Sequence, residues 1–557
     1  MKAKSIISIF ASLIFVYNIQ AQQNEETYNE NVTINVAFDP MINDANKINR
    51  NLTIFDTSST RLNFSFDHIS SAYNTTLTFD TIKAATVKGE PQSKLYHINL
   101  KGGLGLALGK DLKIGFLPLL QGSYTSLRDR SLMYGVDVYS KSSLSGEKKY
   151  GYSGYSNEGI NLYGKKIFKY YAASSQLYYN YSRNYYYGDE YYPLWNIDKK
   201  DYRISWHNVG GNLAYTTLNR NNVWQHNGKI DFNYTGNNRS NGEFFINALF
   251  DVNKNLELFS KAYNQRMGIS FDYKQSVYGD TRLLMNFSPY FLFDWDKFHF
   301  FASLGVVPGV NTYKGFQLLP TATVSFEIIQ QILSLYGGLK SESVMPTLNS
   351  LSKENPFVQP IPNLEDGRYN TFFAKGFLNI TPKSQLSLEA GYKVMTNQYF
   401  YKNSTIINKN IFNVHRVVYD NAKQYYLSLE TYFNISNNFS FNLNATLQRT
   451  NREDSDFEAW YHPGFTLSSK INYSYNNKLY LTLSPTFYSK SKAYVETLRK
   501  EVDIKSMFDI SLSARYEYDE KWSFFVDLNN LAFQQYYLYY NYPSQTFNFL
   551  LGCIYRL

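Results

Sequence analysis

Seven histidines, a single cysteine and an excess of tyrosine are the residues of this chain best suited to chemistry. His68, His97, His207, His226, His299, His415 and His462 are scattered, and none forms a His-Glu-x-x-His zinc motif. His299 lies among Phe298, Phe300 and Phe301, a setting for strand packing or an interface rather than a ligand. Cys553 has no partner for an internal disulfide and offers no cysteine metal set. Gly102-Gly103-Leu104-Gly105 falls in a predicted strand, where glycine eases curvature or a close approach, and is no phosphate loop. Some membrane barrels carry a Ser and a His on the wall as a hydrolase. Serine is plentiful here, but no spacing singles out a pair. The expectation is therefore a non-enzyme with no cofactor and no metal. The tyrosines are the better clue. Tyr178, Tyr179 and Tyr181, then Tyr185, Tyr186, Tyr187, Tyr191 and Tyr192, gather around one connection. Tyr536, Tyr537, Tyr539, Tyr540 and Tyr542 fill another. Aromatic faces stack on sugar rings, and tyrosine anchors protein interfaces. At a membrane surface the same residues would form a girdle, ring towards lipid and hydroxyl towards water.

The elements that position them are strands. In 438–448, Phe439, Phe441, Leu443, Ala445 and Leu447 alternate without error with Asn, Ser, Thr and Gln. That is period two, one apolar face and one polar face. Residues 385–394, 508–518 and 521–529 repeat it, with Phe525 the one exception. The last stretch sets Phe547, Phe549, Leu551, Cys553, Tyr555 and Leu557 on one apolar face that reaches the chain terminus. Membrane barrels commonly finish on such a strand, which the barrel-assembly machinery reads. Connections alternate as well. Tight turns at 381–384, 435–437, 476–477 and 519–520 separate long polar, Tyr-rich stretches at 396–422, 451–463, 490–504 and 530–545. Outer-membrane barrels do this because periplasmic turns are short and external loops long. The stretch 342–369, with Pro346, Pro356, Pro360 and Pro362, is a further long loop able to fold into the lumen or cover it.

Counting backwards from the terminus gives an all-β transmembrane antiparallel barrel of about 22 strands, within a range of 18–22, with both termini periplasmic. The second strand is expected near 112, with Pro118 awkward inside it. Residues 255–264 read as an extra strand or part of a long turn. Mean hydropathy is negative, which a barrel tolerates because alternate residues face a polar lumen. Aromatic residues at 18% fit both strand propensity and interfacial girdles. A net charge of +9 without a dense Lys/Arg stripe suits anionic outer-membrane lipid and argues against nucleic acid. Lys2 and Lys4, the apolar run 6–16 and Ile19-Gln20-Ala21 have the order of a secretory signal peptide. The run falls short of the roughly 18 apolar residues of a spanning helix. The domain reading is a signal peptide at 1–21, a short periplasmic or lumenal leader at 22–94, and the barrel at 95–557.

The strand count, the C-terminal strand and the start Val32-Thr33-Ile34-Asn35-Val36 resemble a TonB-dependent receptor barrel. More closely, Val32-Thr33 through Asp39-Pro40, Ile42-Asn43-Asp44-Ala45, Lys47-Ile48, Lys88-Gly89-Glu90-Pro91 and Lys94-Leu95-Tyr96 resemble compact barrels of Bacteroidetes often labelled TonB-dependent receptors. The resemblance implies a Gram-negative cell outer membrane and transport of, or binding to, a small hydrophilic solute or glycan. It offers Val32, Thr33, Ile34, Asn35 and Val36 as a TonB-contacting segment, or else a lumenal strand. The leader is too short for the globular plug of a full receptor. A second reading is a non-transporting subunit of a multiprotein outer-membrane complex, docking partner proteins or lipoproteins through its Tyr-rich external loops. A third is a surface adhesin or soluble secreted β-protein.

Overall fold

The computed structural model describes residues 96–557 except 109–111, 114, 127–128, 130, 145, 148–150, 189–197, 219–223, 260–262, 309–315, 360–363, 407–410 and 454–456. The expected signal peptide, the leader with Val32–Val36, and Tyr191 and Tyr192 lie outside the described residues. Among the described residues the wall is a closed antiparallel barrel of 22 strands. It begins at Ile98–Leu108 and ends at Phe547–Arg556, and these two pair in register from Asn99↔Arg556 to Leu108↔Phe547. Closure removes the open sheet edges that lipid could not satisfy. Short strands Gly115–Phe116, Ser491–Val495 and Lys500–Ile504 hang on this wall, and Leu112–Lys113 pairs with Gly146–Glu147.

Period-two alternation decides which residues meet lipid. Leu104 is 69% exposed and Leu551 48%, while Lys101, Leu550 and Ile554 on the opposite face are buried. The C-terminal face behaves as expected, with Phe547, Phe549, Leu551, Tyr555 and Leu557 turned away from the buried side. The glycine run lies at the closing seam. A Cβ on Gly552 would meet the carbonyl of Gly102 at 2.1 Å and the Phe525 ring at 2.5 Å, so glycine allows the close approach there. Phe525, the exception to its strand's alternation, packs with Leu117, Leu119, Leu550 and Ile554.

Three expectations need correction and one alternative is resolved. The strand expected near 112 is interrupted: Gly115–Phe116 and Leu119–Thr125 both pair with the first strand, and Pro118 sits at the break between them, with no amide to donate but with its carbonyl accepting from Ser142 at 3.2 Å. Of the two alternatives for 255–264, the described residues show no separate strand, since Gly242–Leu256 is followed by Asn264–Tyr278. Long and short connections do not alternate throughout. At the long-loop end, 238–241 and Gly279 are tight turns. The largest change is at 396–422. Ser384–Ile406 and Ile411–Ser436, of 23 and 26 residues, stay paired across most of it and rise as one long arm. Beyond the bilayer neither face of the arm meets lipid, so no alternation marked it as strand. Its register breaks between Met395 and Gln398, where Asn397 has φ 58°.

Candidate functional site

The long connections do not splay into solvent. They converge on one buried aromatic cluster. Its members come from 186–202 (Tyr186, Tyr202), 345–366 (Leu348, Phe357, Val358), the arm (Phe400, Tyr401, Val414), 453–464 (Trp460, Tyr461), 489–506 (Ala493, Ile504) and 530–546 (Tyr539, Tyr542). These segments are rooted far apart around the ring, so their meeting carries them across the barrel mouth as a cap.

Ring contacts and hydrogen bonds show how they interlock. Phe357 stacks on Tyr542 with ring centroids 3.6 Å apart, and Tyr187 meets Tyr542 edge-on at 5.0 Å. The hydroxyl of Tyr187 donates to the Pro543 carbonyl at 2.9 Å, and that of Tyr539 donates to the Glu354 carbonyl at 2.6 Å. His415, 0% exposed, places Nε2 3.0 Å from the Tyr461 hydroxyl, while its backbone accepts from Gln359 and donates to Phe357. Gly188 makes one approach possible. Its φ is +93°, and a Cβ there would fall 1.4 Å from the Asn541 carbonyl. Burial drives the hydroxyl pKa of Tyr186 up to about 12 and that of Tyr542 well above its usual value, so both stay neutral, and Tyr542 donates to the Asn413 carbonyl.

Charged groups lock the cap to the wall. Arg282 reaches Asp366 at 2.7 Å, the Pro346 carbonyl at 2.6 Å, Ser276 at 3.1 Å and Glu243 at 3.4 Å. Glu243 also accepts from the backbone of Leu348, the first residue of the helix Leu348–Glu354. That helix has seven residues, too few to hold alone. Thr347 caps it through the Ser350 amide at 3.1 Å, and Ser350 returns a bond to Thr347. A carboxylate at the N-terminus suits the helix dipole. Burial raises the Asp366 carboxyl even beside Arg282, so desolvation consumes much of the attraction. The network fixes where the loop sits more than it adds net stability. On the far side, Arg452 pairs with Asp420 at 2.5 Å and lies over Trp460 at 4.3 Å and Phe400 at 5.0 Å. Glu496 accepts from Ser404 and from Lys402 at 2.9 Å, which holds its carboxyl below the usual range.

Beneath the cap a lumenal cavity of about 500 Å³ opens on the wall strands. Lys375 stands between Glu389 at 3.4 Å and Glu430 at 3.8 Å, and Lys340 lies 3.7 Å from Glu342. Gln424 donates to Gln448 at 3.0 Å, and Tyr426 donates to Glu389 at 2.7 Å. Tyr336 and Phe373 pair at 5.1 Å, and Tyr461 and Tyr537 close the cavity from the cap side. The lining is polar and aromatic, with Lys340, Lys375, Lys393 and Lys505 against Glu342, Glu389 and Glu430.

The structure thus separates the tyrosines by role. Tyr185, Tyr186, Tyr536 and Tyr539 are buried, and Tyr187, Tyr537 and Tyr540 are half-buried against the same cluster. All but Tyr536, which donates to Asp509 at 2.8 Å, belong to or pack on the cap cluster. The loop 342–369 covers the mouth rather than entering as bare coil, and it carries the short helix. His299 sits 2.9 Å from Asp294 at the turn joining its strand to the preceding one. Sequence reading missed Arg282, Glu243, Asp366, His415, Arg452 and Trp460. Their partners lie tens to hundreds of residues away. The one available signal was the recurrence of aromatic residues at 399–401, 460–461 and 536–542.

A closed barrel with an apolar outer face and a polar lumen is an outer-membrane β-barrel. Its particular architecture is that of known receptors. The siderophore receptor PirA of Acinetobacter baumannii matches with a TM-score of 0.63 and 10% identity, over 84% of this chain and 81% of that one. A mutant ferric enterobactin receptor, PfeA, of Pseudomonas aeruginosa in complex with enterobactin matches at 0.61 and 11%, over 83% and 82%. The FrpB iron transporter of Neisseria meningitidis matches at 0.58 and 10%, over 84% and 82%. No protein-family model and no curated sequence matches the chain. These neighbours are transport receptors by name, not enzymes.

Proposed function

We propose that this protein is a TonB-dependent-receptor-like barrel that admits a small hydrophilic solute, an oligosaccharide fitting best, through its capped mouth into the lumen. The capped cavity carries the proposal. Four lysines line the cavity against three glutamates, Glu342, Glu389 and Glu430, so only one net positive charge is left to favour an anion. Amides and hydroxyls beside the Tyr336–Phe373 pair suit a neutral, hydroxyl-rich ligand. In this reading the short turns and both chain ends are periplasmic, residues 1–21 are a cleaved signal peptide, and the leader 22–94 is an abbreviated substitute for a plug. The Bacteroidetes-like strings in the leader support that ancestry. The C-terminal strand is the segment offered to the barrel-assembly machinery. Docking of partner proteins through the tyrosine loops would first require the cap to open, because the rings are committed within it.

A locked cap tests this. Asn403 on the arm pairs with Val495 on the inner hairpin formed by Ser491–Val495 and Lys500–Ile504, so a disulfide between Asn403→Cys and Val495→Cys, in a Cys553→Ser background, joins two cap segments. Uptake of labelled oligosaccharides by cells should stop on oxidation and return on reduction. Equal uptake in both states rejects gating by the cap. Deleting residues 24–36 tests TonB separately: unchanged uptake ends the energised reading and leaves a passive one.

A further inference from the structure

We propose that a groove on the lipid-facing wall, at the short-turn end of the barrel, holds one anionic phospholipid of the surrounding bilayer. The groove has a volume of about 430 Å³ and is bounded by Leu132, Phe168, Leu213, Tyr215, Ile230 and Phe250. Alternation along Tyr155–Ile167 puts Ile160 and Leu162 on the outer face, and Gly164 and Lys166 continue it. Gly164 pairs with Ser175, Lys166 with Ala173, and Tyr215 with both Ala173 and Gly228, so Gly164, Ser175 and Ala173 of two adjacent strands form the floor and the Tyr215 ring, lying on Gly228, walls one side. The depression is real at Gly164: a Cβ there would meet nothing closer than the Ser175 hydroxyl at 3.7 Å.

Water will not fill an apolar concavity inside a bilayer, and an empty one forfeits dispersion contacts. A volume of that size holds roughly 14 groups the size of a water molecule, near the methylene content of one acyl chain. The rim then selects the headgroup. Lys166 is exposed with its ammonium 5.2 Å from the Phe168 ring, and Lys169, in the turn below, is 5.3 Å from the Tyr170 ring. These rings set the cations at the depth of an interfacial girdle, where headgroup phosphates lie. The nearby acid, Asp129, accepts from the Ser131 amide and hydroxyl, both at 2.8 Å, and only partly offsets Lys166. An acyl-shaped groove capped by two ammonium groups at headgroup depth fits an anionic phospholipid better than a zwitterionic one.

Native mass spectrometry of the full chain in mild detergent, delipidated and re-exposed to equal phosphatidylglycerol and phosphatidylcholine, tests this. One retained phosphatidylglycerol per barrel is expected. Each lysine should contribute roughly fivefold to the preference, so about 25-fold together. Lys166→Gln with Lys169→Gln should abolish the preference while leaving one lipid bound. Gly164→Leu, or Ser175→Leu, should fill the groove and lower retention at least tenfold, with folding verified by heat-modifiable migration. Should a leucine variant fail to fold, the glutamine pair still decides. Equal retention of the two lipids by the native chain overturns the proposal. So does an unchanged preference in the glutamine pair, unchanged retention in a folded leucine variant, or an acylated protein in place of a phospholipid.

Discussion

Arg282→Met is the most informative single change at the cap. It removes a cation that faces both Glu243 and Asp366, two carboxylates that are buried in the folded chain. Breaking a buried ion pair by deleting one partner costs about 3–5 kcal/mol, because the remaining charge stays desolvated. The Pro346 carbonyl and the Ser276 hydroxyl lose a donor as well. The loss falls on the docking of 345–366, not on the barrel ladder, whose backbone pairing does not use the guanidinium. Opening of this loop should therefore become easier by about two to three and a half powers of ten, at 1.4 kcal/mol per decade. Hydrogen exchange reads this directly. Amides that depend on the docked helix, such as Leu351 bonding to Thr347 and Asn355 bonding to Leu351, should exchange 10²-fold or more faster. Amides in Gly367–Thr381 should not change. If the helix amides keep their native rates in a folded Arg282→Met barrel, the network does not hold the loop, and the gating argument loses its latch. Adding Glu243→Gln and Asp366→Asn should restore much of the protection, since neutral groups no longer need the cation.

Other outcomes follow from the same geometry. Gly188→Ala should part 186–202 from 530–546, because its Cβ would overlap the Asn541 carbonyl; limited proteolysis should cut the loops faster while the barrel core survives. Leu551→Lys should destabilise refolding into lipid vesicles by about 2–4 kcal/mol, whereas Thr446→Lys on the lumen side should cost far less. Equal penalties would overturn the assignment of faces. The depressed Glu496 carboxyl carries a pH dependence. Its pKa is lower folded than unfolded, so its contribution is present above the ordinary glutamate range and is lost as pH falls through the folded value. The arm should therefore loosen from the inner hairpin only in acid below that range, and Glu496→Gln should remove the acid step in exchange at Asn403 and Val495.

Much of the barrel was written locally. Period-two alternation needs only neighbours along the chain, so 438–448 declared an inner and an outer face before any partner was known. Tight turns at 381–384 and 476–477 fixed strand direction, and their sum gave the number of strands. The face ending at Leu557 marked the closing strand for the same reason. What the sequence could not contain was the cap. Tyr187, Phe357, His415, Tyr461 and Tyr542 have no common spacing, and each connection taken alone looks like polar coil rich in tyrosine. Outside the bilayer no lipid imposes an alternating face, so the arm at 396–422 read as loop although its backbone pairs. Arg282, Glu243 and Asp366 read as ordinary charges on three separate segments. They become a latch only because closing the ring brings those segments together, and because desolvation there makes each charge depend on the others.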